Sequence, residues 1–133
     1  MSDNNLKSIL ILLNDVDLVL LNVMKTKFKK ENGWESHIAT SYNDAVKAFE
    51  AFEHIDGVLT EIIINDASGR TGFDFIEEIQ STKKGADAKV VVFTDLGLEE
   101  DKERAKALGV DHYFIKSRIT LNELSQELKK IIQ

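Results

Sequence analysis

The chain has 133 residues, of which 43% are apolar and 30% charged, with a net charge of −6, no cysteine and no proline. That length holds one compact domain with its own core. Lack of cysteine excludes disulfides, thiolate chemistry and zinc–sulfur sites. The acidic balance makes direct nucleic-acid binding unfavourable, because phosphate contacts need clustered Lys and Arg, and no apolar run approaches the ~20 residues of a membrane helix.

The opening MSDNNLK has no basic segment followed by an apolar stretch and a small-residue cleavage site. No signal peptide is expected, and the cytoplasm is the default location. Five apolar runs then alternate with helical patterns. The first strand is Ile9 to Leu13, followed by a helix from about Asp17 to Lys30 with Leu20, Leu21, Met24 and Phe28 on one face. Asn32-Gly33 is a helix stop. A weaker strand covers Ser36 to Thr40. Ser41 and Asp44 precede a helix carrying Ala45, Phe49 and Phe52.

The third strand is Gly57 to Thr60, running into Glu61 and Ile62. A polar loop, Asn65 to Gly72, leads to a helix over about 73–83. The fourth strand is Val90 to Phe93, its helix about Leu98 to Leu108, stopped at Gly109. The last strand is His112 to Ile115. Thr120 and Glu123 predict a capping box for a final helix with Leu121, Leu124, Leu128 and Ile131 facing inward. Apolar strands separated by amphipathic helices predict a parallel sheet buried on both faces, wound with right-handed crossovers into a three-layer α/β sandwich.

In such a sandwich, ligand chemistry gathers beyond the carboxyl ends of the strands. The residues there are Asn14 and Asp15, Glu61, Thr94 and Asp95, and Lys116. Carboxylates and amides suit Mg²⁺. A hydroxyl and an ammonium suit phosphate oxygens.

The sequence resembles response regulator receiver domains (CheY-like) over residues 7 to 132. The segments that carry the resemblance are VVVFTDLGLEED, AKALGVDHYFIKS and DGVLTEIII…GFDFIEEI. The resemblance implies a flavodoxin-like, doubly wound sheet of five parallel strands and five helices, in the order 2-1-3-4-5. It implies that Thr94 and Lys116 contact a phosphoryl group, that Glu61 stands at the phosphoacceptor position, and that Tyr113 is the aromatic residue that swings inward on activation. Asp15 is the first candidate Mg²⁺ ligand, with Asn14 and Asp17 as alternatives and Glu61 opposite.

Four features depart from the family's pattern. Glu61 replaces aspartate and reaches ~1.5 Å further, which spoils an in-line geometry needing ~3–3.5 Å. Such a carboxylate could instead imitate the phosphorylated state. Asn14 lowers the charge of the first-strand cluster, so Mg²⁺ binding is expected to be weak or absent. The loop from Glu61 to Gly72 is longer than the family's. Ser117 follows Lys116 where the family has a cis-proline; a cis bond here would cost ~3 kcal/mol, so trans is expected.

Simpler roles stand beside these. Glu61 could be a solvated acid, Lys116 a snorkelling surface lysine, and Thr94 a cap for the next helix. Asp15 or Asp17 could cap the first helix, and Tyr113 could pack with its hydroxyl in solvent. Trp34 reads as edge-strand packing. His37, His54 and His112 are scattered. Glu100 and Arg104 suit an (i, i+4) pair on a solvated helix face.

The resulting expectation is one domain over 1–133, core about 7–132, with no fused output domain. It is a stand-alone, atypical (pseudo-) receiver in two-component signalling, not an enzyme, acting by protein–protein binding. Expected partners are a histidine kinase or a downstream protein, with a homodimer possible through the face of the fourth helix, fifth strand and fifth helix. One alternative is a functional Mg²⁺-dependent phosphoacceptor; Asp66 lies too far into the loop to replace Glu61. The other is a flavodoxin-like cofactor binder, disfavoured because the turn after the first strand has no glycine and is acidic.

Overall fold

The computed structural model describes residues 6–133; the reading of the first five residues as leaderless lies outside them. Five strands, β1 (Ser8–Leu12), β2 (Glu35–Ala39), β3 (Gly57–Thr60), β4 (Lys89–Thr94) and β5 (His112–Ile115), form one parallel sheet. Its order is β2-β1-β3-β4-β5, as the resemblance implies. The helices are α1 (Leu18–Asn32), α2 (Tyr42–Ala51), α3 (Gly72–Gln80), α4 (Lys83–Ala86), α5 (Glu99–Ala107) and α6 (Leu121–Ile131). None of those described is long and apolar enough to cross a membrane.

Strand side chains alternate between faces, and that alternation divides the core in two. Leu10, Leu12, Val58, Val90 and Val92 point to one side, against Phe49 of α2 and Ile76 and Ile79 of α3. Ile9, Ile11, Leu59, Val91 and Phe93 point to the other, against Met24 and Phe28 of α1 and Leu124 and Leu128 of α6. Phe28, Phe73 and Phe75 are fully buried, each worth about 1.5–3 kcal/mol of burial. Trp34 packs edge-on against Phe28, with ring centroids 5.7 Å apart.

The boundaries follow the local chemistry. Gly33 ends α1 at φ +72°, and Gly109 follows α5 at φ +79°, a region other residues avoid. Ser41 Oγ accepts the Asp44 amide at 3.1 Å to start α2. Thr120 and Glu123 form the reciprocal capping box of α6.

Three expectations need correction. The helix expected over 73–83 breaks after Gln80, because the Thr82 side chain accepts the Gly85 amide and starts a separate turn, α4. The helices expected fourth and fifth are therefore α5 and α6, and the described residues form six α-helices instead of five. The stretch expected to open α1 begins with a 3₁₀ turn, Asp15–Asp17, and Asp17 at the N-cap makes no side-chain capping bond. Arg104 turns away from Glu100: it lies 3.6 Å from Glu77 Oε1 and over the Phe73 ring, where the aromatic face offers a better surface than a solvated pair.

Candidate functional site

Parallel register puts the carboxyl ends of β1, β3, β4 and β5 on one edge. Leu12 aligns with Thr60, Thr60 with Val92 and Thr94 with Ile115. Glu61 follows directly on β3, and its amide donates to Leu12 O at 2.9 Å. The Thr60 hydroxyl donates to Glu61 O. Gly72, opening α3, lies so close that an added Cβ would sit 2.0 Å from Glu61 O, and its amide donates to Ile62 O at 2.7 Å. Glycine is required there to let α3 start against the strand end. The acid is thus held from both sides.

The Glu61 side chain is buried, at 6% exposure. Its Oε2 accepts the Ile62 amide at 2.7 Å. Its Oε1 lies 2.7 Å from Lys116 Nζ, and the same ammonium lies 3.3 Å from Asp17 Oδ2. One cation therefore serves two carboxylates, and the three residues come from three different chain segments. Burial pulls the Lys116 pKa down, but the Glu61 hydrogen bond and charge, joined by Asp17, outweigh it and the net shift is upward.

Thr94 is fully buried at the end of β4, and its Oγ1 accepts the Leu96 amide at 3.2 Å. Tyr113 is half-buried against the core on the α2 and α3 side of the sheet, and its hydroxyl donates to Leu96 O, not to solvent. Burial, then the negative charges of Asp101 and Glu61, push the Tyr113 phenol up to about 12. The turn after β4 is thus tied to both the Thr94 and Tyr113 side chains.

The first-strand acids are arranged differently from the expectation. Asp15, the first candidate ligand, is exposed; the 3₁₀ turn aims Asp17 into the site in its place. Asn14 Nδ2 donates to Ile63 O at 2.6 Å, bracing the loop after β3. Among the described residues, no three His, Asp or Glu side chains converge as a metal site. The Lys116–Ser117 bond is trans, and Lys116–Arg118 forms a 3₁₀ turn.

The long loop after Glu61 has its own anchor, which the sequence reading missed. Arg70 grips Asp66 at 3.0 Å through Nε and 2.8 Å through Nη2. Its guanidinium lies 3.8 Å from the Tyr42 ring centroid. The Asp66 hydrogen bond to Arg70 holds that carboxyl below its usual range. The signal available was Asp66 four residues before Arg70. Asp66 is thereby committed and faces away from the role of an acceptor.

The receiver domain of HemR from Leptospira biflexa superposes at TM-score 0.81 with 21% identity, covering 96% of this chain and 94% of that one. This chain has the receiver fold. A LuxR-family DNA-binding response regulator from Staphylococcus aureus superposes at TM-score 0.80 with 24% identity, over 96% of this chain and 100% of that one. The receiver domain of a sensor histidine kinase from Pseudomonas aeruginosa, which carries a magnesium ion in its active-site cleft, matches at 0.76 with 20% identity, over 96% and 98%. No family model and no curated protein matches the sequence.

Proposed function

We propose that this chain is a receiver-type signalling module of the two-component class that Glu61 holds in one arrangement, and that it acts by binding other proteins. The observation that carries this reading is the 2.7 Å contact between Lys116 Nζ and Glu61 Oε1. The lysine expected to meet a phosphoryl oxygen already has a permanent carboxylate, so Glu61 takes the place of the charge that phosphorylation would add. The inward Tyr113, bonded to Leu96 O, accords with the activated arrangement in the receiver resemblance.

The same geometry argues against the phosphoacceptor alternative. Both Glu61 oxygens are engaged, by an ammonium and by an amide. The residues present do not fit Mg²⁺, because Lys116 already stands between the two carboxylates that meet and Asp15 is turned to solvent. No group-transfer step is assigned to the chain, and it is not an enzyme on this reading. A cofactor-binding role lacks a glycine-rich phosphate turn after β1. A histidine kinase or a downstream protein remains the partner class.

The test is incubation with a small phosphoryl donor and Mg²⁺, read by intact-protein mass and amide NMR. The reading predicts unchanged mass and an unchanged spectrum. A phosphoryl adduct at Glu61, or site resonances that move with Mg²⁺ alone, would overturn it.

A further inference from the structure

Helix α1 carries apolar residues on two opposite faces. Leu21, Met24 and Phe28 are buried against the sheet. Across the helix, Val19 and Val23 are 79% and 47% exposed, and Val16, in the 3₁₀ turn before it, is 86% exposed. At 100° per residue, Val19, Val23, Thr26 and Lys30 fall within about 60° of one another, on the side away from the core. A shallow groove of about 620 Å³ runs along Val19, Val23, Thr26 and Lys30. Among the described residues, four of the six large exposed apolar side chains belong to this helix and the turn before it. The face of α5, β5 and α6 expected to pair contains only Leu98 of that set, at its start.

We infer that this stripe is a self-association surface that takes a second copy of the chain, with the two α1 helices antiparallel about a two-fold axis. Charge selects the occupant and the orientation. Asp15 precedes the stripe, while Lys25, Lys29 and Lys30 lie towards its far end and are exposed; Asp17 and Lys27 are already bridged, to Lys116 and to Glu31. A two-fold axis between Asn22 and Val23 brings Asp15 of one copy to Lys30 of the other, twice, and keeps the valines in the seam. A parallel pair would set acids against acids and lysines against lysines. Asp15 and Lys30 are both exposed, so each is free to bridge. An isologous contact of one helix per subunit is small beside a standard ~800 Å² per partner, so the dimer is weak and concentration-dependent.

Sedimentation velocity across the micromolar range tests this on the full chain. The wild type is expected to show a monomer–dimer equilibrium. Val23→Glu lies on an exposed face, so the variant should keep its melting temperature and become monomeric. Asp15→Lys and Lys30→Asp should each weaken the dimer about tenfold, and the double variant should restore it. A wild type that stays monomeric throughout overturns the inference and leaves the stripe to a different protein. A dimer that survives Val23→Glu, or a double variant that fails to recover, overturns it as well. None of these outcomes depends on Glu61, so this inference and the proposed function fail separately.

Discussion

Lys116 Nζ stands 2.7 Å from Glu61 Oε1, although 55 residues separate them in sequence. The contact exists because β3 and β5 end on the same edge of a parallel sheet with β4 between them. At 6% exposure, Glu61 sits where a lost partner is costly.

Replacing Lys116 with Met should therefore destabilise the protein by about 2 kcal/mol, since it strands a buried carboxylate. The pH dependence has a definite sign. The Lys116 pKa is raised on folding, so its stabilisation is complete below the unfolded value of 10.5 and fades as pH rises through the folded value. Urea denaturation of wild type and Lys116→Met should give a constant gap at neutral pH that narrows only above 10.5.

Glu61→Asp should remain inert to a phosphoryl donor with Mg²⁺. Shortening the side chain withdraws the carboxylate from Lys116, but Asp15 still faces solvent and Asp17 still belongs to Lys116. Phosphoryl mass on the variant would mean that the first-strand turn rearranges to hold the metal.

Gly72→Ala should cost about 3 kcal/mol, because its Cβ would fall 2.0 Å from the Glu61 carbonyl oxygen and backbone must shift to relieve it. Chemical denaturation measures the loss. Gly69→Ala, with open space around it but φ +77°, should cost only about 1 kcal/mol.

The chain has two tyrosines, and both should ionise late. Tyr113 is pushed up to about 12 by burial and nearby carboxylates. Tyr42 is shifted upward by burial and by its bond to Glu78. Ultraviolet titration should show little phenolate at pH 10, the ordinary tyrosine value, while the fold persists. A step centred at pH 10 that carries half of the total tyrosine signal would place one ring in water.

Much of this architecture could be read before any coordinates. The apolar runs at Ile9, Val58 and Val90 fixed the strands, because burial on both faces leaves few other readings. Glu61, Thr94 and Lys116 were found because strand ends are countable. Asp17 was placed second to Asp15, since a 3₁₀ turn and an α-helical turn aim neighbouring residues differently and the sequence does not separate them. The Arg70 clamp on Asp66 and Tyr42 was missed because the Tyr42 contact joins residues 28 apart, one opening α2 and the other in the loop after β3. The break between α3 and α4 hinges on one threonine hydroxyl, too small a signal for periodicity.

A double-mutant cycle on Glu61→Gln and Lys116→Met, read as unfolding free energy in urea, addresses the pairing itself. A coupling energy of about 1–2 kcal/mol is predicted, with the double variant more stable than the two single losses added together would allow. Strictly additive losses would mean that the carboxylate and the ammonium do not share one basin in solution, and the proposal of a built-in substitute for phosphorylation would fall with them.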